Sequence, residues 1–302
     1  ALVAAAGVGI ALAFKSMVKS WLTADTFRDF IATQPPPYNV WAQAVLNDTN
    51  IPPRLPAVGP AQAGGELVAH FQFPHMDRAV HLRPGWGFGL AMSSSRIGNY
   101  ESIRGENLHG WYTGEGMTYL YGNDLNQFAD GFWQTIDPCR LPGTTVDTHS
   151  RTNSSGESYL SPNNWTGGAS LLGLYGVSGM HLNAWNSTLS ARKSWFMFDN
   201  EVVCLGAGIS STDNRTIETT VENRRLTGYG NNAFTVNGIA RPNNVGWAGT
   251  LTNTSWTHLA GNVPGADLGL FFPQATTVNA IREVRAGSLS DLNTTYGSTN
   301  RI

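Results

Sequence analysis

The chain has 302 residues, and its 19 lysines and arginines stand against 21 aspartates and glutamates, which gives a formal net charge of −2. This near balance argues against a general nucleic-acid-binding protein, because such proteins usually carry a surplus of basic residues. Charged residues make up 13% of the chain, against roughly 25% in an average soluble domain. Asparagine, serine, threonine and 34 glycines supply the polarity instead, a composition typical of secreted proteins rich in β-structure.

The first fifty residues carry a helical pattern. From Leu2 to Ile31 apolar residues recur at spacings of three and four, and the three consecutive prolines after Gln34 end the pattern. The apolar opening, ALVAAAGVGIALAF, is too short to cross a bilayer comfortably and lacks the basic start of a signal peptide, so it predicts a buried helix, with a residual targeting segment as the weaker alternative. Residues 51–65, IPPRLPAVGPAQAGG, predict a Pro/Gly-rich linker. We therefore expect terminal helices in residues 1–50, followed by this linker.

From residue 66 onward the pattern changes to short apolar runs separated by turn clusters. The runs ELVAHFQF, GFGLAMSS, SWFMFDNEVVCLGAGI and GLFFP are rich in β-branched and aromatic residues, and they alternate with NNWTGG, STDN, GYGNN and RPNN. No helical stretch of convincing length occurs here. The alternation predicts a large antiparallel β-sandwich over residues 66–302. The last residues are polar and turn-like, so we expect the sandwich to be incomplete at its C-terminal end.

The cysteines and sequons bear on the compartment. Cys139 and Cys204 either join in one disulfide, which would suit an oxidising compartment, or remain two separate buried thiols. Seven Asn-x-Ser/Thr sequons favour a secreted glycoprotein. Their acceptor residues are Asn47, Asn153, Asn164, Asn186, Asn214, Asn253 and Asn293.

Familiar cofactor and metal motifs do not occur in the sequence. There is no GxGxxG opening a helix, no Walker loop, no HExxH and no GxSxG. The seven histidines show no metal-ligand spacing near the cysteines. Asp124 and Asp130 could hold a structural calcium ion with backbone carbonyls, and solvated turn carboxylates are the alternative. We expect no cofactor for catalysis.

Residues 96–121, RIGNYESIRGENLHGWYTGEGMTYLY, combine arginines, carboxylates, glycines and aromatic rings. Guanidinium groups bind carboxylates through two parallel hydrogen bonds, aromatic rings pack on sugar faces, and glycines let a ligand approach the backbone. The mixture would suit an acidic sugar. The alternative is a set of cross-strand salt bridges and aromatic packing at a sheet edge, which spacing alone slightly favours.

Five segments carry a family resemblance. They are MDRAVHLRPGWGFGLAMSSSRIGNYES, GENLHGWYTGEGMTYLY, DGFWQTIDPCRLPGTTVD, HLNAWNSTLSARKSWFMFDNEVVCLGAGI and ETTVENRR. In this order they resemble polysaccharide lyase family eight, which contains the hyaluronan, chondroitin and xanthan lyases. The resemblance implies an incomplete α/α toroid followed by a large antiparallel β-sandwich, and it makes residues 1–50 the last helices of that toroid.

The resemblance also implies a reaction. Family members cleave acidic polysaccharides beside a uronic acid by β-elimination, without a catalytic metal. An Asn neutralises the carboxylate, a Tyr and a His transfer protons, and an Arg assists, all from the toroid. The implied partners of this region are therefore the acidic polysaccharide and the toroid, with no nucleic acid and no membrane. A non-catalytic carbohydrate-binding or structural module is the alternative.

Matched residue by residue, the resemblance assigns roles within the stretch. Glu101, in NYES, is the sandwich carboxylate that orients the toroid's Arg and Tyr. Family members often have a substrate-contacting Asn three residues further on. This chain has Arg104 there, which either binds an extra acidic group, such as a pyruvate ketal or second uronate, or points to solvent. Asn107 and Trp111 are expected to form walls of the same cleft. Arg96 is expected to anchor its strand through a salt bridge.

Overall fold

The computed structural model describes residues 66–129 and 131–294. These residues belong to one compact unit of the chain, Gly65–Ile302. The helices expected in residues 1–50 and the linker expected in residues 51–65 lie outside the described residues and stay predictions.

Fourteen strands and two single-turn helices form the regular structure of the described residues. The strands are β1 (Ala69–Phe73), β2 (Arg78–Arg83), β3 (Trp86–Ala91), β4 (Met117–Tyr121), β5 (Thr145–Val146), β6 (Thr166–Leu171), β7 (Tyr175–Asn183), β8 (Ser190–Met197), β9 (Val202–Ser210), β10 (Glu218–Thr219), β11 (Phe234–Val236), β12 (Ile239–Ala240), β13 (Ala248–Leu259) and β14 (Leu268–Ile281). The helices are α1 (Phe132–Thr135) and α2 (Leu289–Leu292). The prediction of a mainly β region is confirmed. In this part of the chain, no helix has the length and apolar character needed to span a membrane.

The strands pair in antiparallel fashion and form four sheets within the described residues. The first sheet has the order β1-β2-β3-β4, the second β6-β7-β8-β9 and the third β12-β11-β13-β14, while β5 pairs with β10. Pro84 and Gly85 turn the chain between the paired residues Arg83 and Trp86. The φ of Gly85 is 78°, a conformation that glycine adopts without steric cost. Tight turns of this kind keep consecutive strands adjacent.

The first two sheets pack against each other through the main hydrophobic core. Alternate residues of β2 and β3, among them Ala79, Phe88 and Leu90, share one buried cluster with Met180 of β7 and Trp195 of β8. This alternation is the period of two expected of strands with one buried face. Burying each large apolar side chain stabilises the fold by about 1.5–3 kcal/mol. The packed faces form an antiparallel β-sandwich, as predicted.

A second hydrophobic cluster lies beside the first sheet. Its buried members are Tyr100, Trp111, Tyr112, Met117, Phe128, Phe132, Leu141 and Val146. They come from the segment between β3 and β4, from β4 itself and from the chain around α1 and β5. The rings of Phe128 and Phe132 meet edge to face, with centroids 5.1 Å apart, a favoured aromatic geometry. This cluster supports the stretch that the sequence marks as a candidate site.

The two cysteines are not bonded to each other. Cys139 is half-buried and Cys204 is exposed, and both are free thiols. The disulfide alternative is therefore wrong, and the buried-thiol alternative needs correcting at Cys204. The reason is that Cys204 lies on β9, the edge strand of the second sheet, whose residues are largely exposed.

Candidate functional site

Residues 99–116, between β3 and β4, form the loop that carries the predicted site residues, and we call them the site loop. The Asn99 side-chain nitrogen Nδ2 donates to the Trp111 carbonyl at 2.7 Å and to Glu115 Oε1 at 2.9 Å. The Asn99 backbone N–H donates to the Tyr159 carbonyl at 2.9 Å. The two side-chain bonds join the ends of the loop, so Asn99 and Glu115 close it at its base, and the backbone bond holds Asn99 to Tyr159 outside the loop.

Glu101, Arg104 and Asn107 are all exposed on this loop. The Asn107 Nδ2 donates to the Glu101 carbonyl at 2.8 Å, which folds the segment back on itself. Arg104 and Asn107 both have positive φ angles, 52° and 53°. Such a conformation is unfavourable for arginine and is concentrated at functional sites. The structure therefore brings these three predicted residues to one exposed turn.

The turn is also tied to two distant segments. The Leu108 N–H donates to the Leu292 carbonyl at 2.9 Å, and the Thr294 N–H donates to the Gly105 carbonyl at 2.8 Å. On the other side, the Ser154 N–H donates to the Leu108 carbonyl at 2.9 Å. Backbone bonds to partners this far away in sequence hold the turn in place, so its exposed side chains start from a fixed main chain.

Trp111 does not lie where we expected it. Its side chain is only 7% exposed and belongs to the cluster under the site loop. Its ring centroid is 4.6 Å from that of His109 and 5.9 Å from the guanidinium carbon of Arg151. Removing this large ring from water is favourable. The expectation of an exposed cleft wall at Trp111 is therefore corrected: the ring supports the loop from inside.

Two ionisable side chains are buried at the base of the site loop, Glu115 of the loop itself and Lys193 of β8. Burial raises the pKa of Glu115 to about 7, although Arg151 and the hydrogen bond from Asn99 oppose the rise. Burial lowers the pKa of Lys193 to about 8, against the attraction of Glu115. The Lys193 ammonium donates to the Gly143 carbonyl. Because burial disfavours the charged form of each group, the charge beneath the loop changes close to neutral pH.

Arg96 anchors the strand region through a salt bridge, as predicted. Its guanidinium donates to the buried Asp77 carboxylate at 2.7 Å and to the carbonyls of Asn164 and Thr166 at 3.1 and 2.8 Å. The Ser94 hydroxyl donates to the other oxygen of Asp77. Arg96 thereby connects the chain after β3 with β6.

The calcium hypothesis gains no support from the described residues. One oxygen of Asp124 accepts from the Asn126 N–H at 3.2 Å, and the other accepts from Asn262 Nδ2 at 2.7 Å. Both bonds fit a turn carboxylate, and a calcium ion at Asp124 stays a prediction. Asp130 lies outside the described residues, so an ion there stays a prediction. Among residues 66–129 and 131–294, no group of three or more His, Cys, Asp or Glu side chains could hold a metal ion.

A pocket of about 400 Å³ adjoins the site loop. Asn107, His109 and Thr113 line it from the loop, Trp133 from α1 and Leu289 from α2. Its volume is in the range of small-ligand pockets, roughly 300–1,000 Å³. The pocket therefore extends from the exposed turn, with Asn107 common to both.

An antiparallel β-sandwich with a carboxylate, a guanidinium and an amide on one rigid turn agrees with the family resemblance of the sequence. The chain belongs to polysaccharide lyase family 8, whose super-sandwich domain matches residues 68–302. It is 46% identical to the xanthan lyase of Bacillus sp. (strain GL1), over 94% of this chain and 29% of that enzyme. It is 42% identical to the hyaluronate lyase of Thermasporomyces composti, over 93% of this chain and 34% of the relative.

A solved structure supports the same assignment. The chondroitin AC lyase of Streptomyces coelicolor A3, determined in complex with chondroitin sulphate, matches with a TM-score of 0.64 and 36% identity. The match covers 95% of this chain and 35% of that one. The chain thus spans about a third of the length of the relatives it matches.

The sequence did not reveal the pair that closes the site loop. Asn99 and Glu115 are 16 positions apart in a segment without strand or helix periodicity, so no spacing rule connects them. One local signal was present. Glu115 stands between Gly114 and Gly116, and a charged residue between two glycines can mark a place where the backbone closely approaches another segment.

Proposed function

We propose that this chain is the sandwich region of an exported polysaccharide lyase. The enzyme cleaves a uronic-acid-containing polysaccharide by β-elimination and leaves an unsaturated uronate end. The observation that carries the proposal is the exposed turn of the site loop, which holds Glu101, Arg104 and Asn107 together in a chain related to xanthan and hyaluronate lyases. The proposed reaction uses an acidic polysaccharide and no cofactor, nucleic acid or membrane.

In this proposal the turn orients groups and binds substrate. Glu101 accepts hydrogen bonds from the Arg and Tyr of the toroid, which fixes them relative to the sugar. Arg104 binds a carboxylate of the polymer through its planar guanidinium. Asn107, whose Nδ2 is bound to the Glu101 carbonyl, presents its amide oxygen to a sugar hydroxyl.

Proton transfer belongs to the toroid in this proposal. The proton α to a uronate carboxylate becomes removable only when the carboxylate charge is neutralised. The family resemblance assigns that task to an Asn, and proton transfer to a Tyr and a His. The toroid of the same enzyme is therefore the catalytic partner of the sandwich region.

The ultraviolet absorbance of the unsaturated uronate tests the proposal. The purified protein is incubated with xanthan, hyaluronan, chondroitin and glucuronan, and a denaturing gel shows whether the toroid is present. We expect the absorbance to rise with at least one polymer when the toroid is present. Binding without any rise would identify a non-catalytic carbohydrate-binding module. If the protein neither binds any of these polymers nor raises the absorbance, both the lyase and the carbohydrate-binding module are contradicted.

Export is supported by the accessibility of the sequons. Five acceptor side chains are exposed, namely Asn153, Asn164, Asn186, Asn214 and Asn253. Asn293 is half-buried, and Asn47 lies outside the described residues. Protein found in the medium of its source, with a mass that falls after enzymatic removal of N-linked glycans, would support an exported glycoprotein. Unmodified protein retained inside the cells would contradict it.

A further inference from the structure

The amide–carboxylate pair at the base of the site loop is buried and incompletely satisfied. Asn99 is 1% exposed and Glu115 is 2% exposed. Asn99 Nδ2 donates to Glu115 Oε1, whereas Glu115 Oε2 has no hydrogen-bond partner among the described residues. Leaving a buried carboxylate oxygen without a partner costs free energy. A stability role alone therefore does not account for this carboxylate.

Two glycines hold the Glu115 backbone tightly against its neighbours. A Cβ added to Gly114 would lie 2.2 Å from the Asn99 carbonyl oxygen. A Cβ added to Gly116 would lie 3.0 Å from the ring of Trp195, and the φ of Gly116 is 85°. The chain on both sides of Glu115 is thus in close contact with other atoms. The main chain at Glu115 therefore cannot shift without moving Asn99 or the core.

In the part of the chain that the structure describes, none of the charged neighbours of Glu115 donates a hydrogen bond to its carboxylate. Arg151 donates to the Ser155 carbonyl at 2.6 Å and lies over the Tyr112 ring at 4.9 Å. Lys193 donates to the Gly143 carbonyl. Asp147, the remaining charge that acts on Glu115, pairs with Arg215 at 2.7 Å. Within the described residues, Asn99 is therefore the side chain that Glu115 holds by a direct hydrogen bond.

Asn99 connects this pair with the exposed turn. The next residue, Tyr100, is buried, its hydroxyl donates to the Ser155 carbonyl at 3.0 Å, and its own carbonyl accepts from the Ser158 N–H at 2.8 Å. Glu101 follows directly from this fixed main chain. A displacement of Asn99 would therefore strain the two hydrogen bonds of Tyr100 and shift the main chain from which Glu101 extends.

We propose that Glu115 is a positioning residue of the lyase. It holds the Asn99 amide and, through it, the main chain from which Glu101 reaches the toroid. The inference rests on the proposed function, because it assigns Glu115 to the same site. The group that acts is the acceptor oxygen Oε1, so glutamine can take its place and alanine cannot.

Four variants of the enzyme that contains both this region and its toroid test the proposal. We expect Glu115→Ala to lower kcat by about 10- to 100-fold with KM changed less than about threefold, because a misplacement of about 1 Å can cost that much rate. Glu115→Gln keeps the acceptor and should retain kcat within about threefold. Asn99→Leu, of nearly the same shape, removes the donor and should resemble Glu115→Ala. Glu222→Gln, at another carboxylate whose pKa burial raises, is the matched control and should leave kcat unchanged.

Hydrogen exchange separates this inference from the proposed function. Amides of residues 99–116 should exchange faster in Glu115→Ala and Asn99→Leu, and at the parental rate in Glu115→Gln and Glu222→Gln. A Glu115→Gln variant as impaired as Glu115→Ala would overturn the positioning role, as would parental kcat or parental exchange in Asn99→Leu. If the unsubstituted enzyme gives no unsaturated product, the proposed function fails instead, and exchange still shows whether the pair holds the loop.

Discussion

At the scale of single residues, the site loop separates side chains that face solvent from side chains that hold the main chain. Glu101 is exposed, so its truncation leaves no cavity and should change stability by less than about 0.5 kcal/mol. We expect Glu101→Ala to reduce turnover by roughly 100-fold, because the toroid's groups lose their orientation. Turnover is measured from the ultraviolet absorbance of the product, and stability from the thermal midpoint.

Glu106 provides the comparison for Glu101. It is a carboxylate of the same loop, half-buried, for which the resemblance assigns no role. Glu106→Ala should keep turnover within about threefold of the parent. Unchanged turnover in Glu101→Ala, or equal losses in both variants, would remove Glu101 from the site.

Arg104 decides between substrates in our proposal. Replacing it with the family's asparagine removes a charged hydrogen-bonding group, worth about 1.5–3 kcal/mol. We expect Arg104→Asn to lower kcat/KM by tenfold or more on the polymer whose extra carboxylate it binds, and to change the others less. The fold should tolerate the change, because asparagine accepts the positive φ of 52° at this position better than arginine. Identical substrate profiles for the parent and Arg104→Asn would show that Arg104 does not contribute to substrate selection.

At the scale of elements, the contact between the first and second sheets depends on Gly176. A Cβ at Gly176, on β7, would lie 2.1 Å from Cε1 of His70, on β1. We expect Gly176→Ala to force the two strands apart and to lower the free energy of unfolding by about 1–3 kcal/mol, measured in urea. Gly269→Ala, on β14, meets no atom within 4 Å and should be nearly neutral. Equal effects of the two substitutions would show that the sheets adjust freely at this contact.

The elements also show what the sequence could and could not predict. Within the runs ELVAHFQF and GFGLAMSS, the segments AHFQF and GFGL place an apolar residue at every second position, and they form β1 and part of β3. A two-residue repeat of apolar side chains is a local property of the sequence, so such strands can be predicted from the sequence alone. The Asn99–Glu115 closure and the burial of Trp111 depend on packing between distant segments. In a stretch rich in glycine and aromatic residues, no local pattern tells an exposed ring from a buried one.

At the scale of the whole molecule, buried histidines and buried acids couple stability to pH in opposite senses. Burial lowers the pKa of His70 from 6.5 to about 4, with further contributions from His81 and Arg83. The stability that neutral His70 contributes is complete above pH 6.5 and is lost as the pH falls toward 4. Burial raises the pKa of Glu115 from 4.5 to about 7. Its contribution is complete below pH 4.5 and is lost as the pH rises through 7. His81 and Glu222 act in the same senses as His70 and Glu115, respectively.

The two effects should nearly cancel between pH 4.5 and 6.5. His70 is 3% exposed, and a pKa difference of this size corresponds to roughly 3 kcal/mol for each group. We therefore expect a nearly flat free energy of unfolding in urea titrations across this range. In His70→Gln the free energy of unfolding should rise as the pH falls, because Glu115 and Glu222 then outweigh His81, and in Glu115→Gln it should decrease as the pH falls. His75 is exposed, so His75→Gln should follow the parent. The parent and these three variants would give parallel curves of unfolding free energy against pH if neither His70 nor Glu115 set the pH response. That outcome would contradict the prediction.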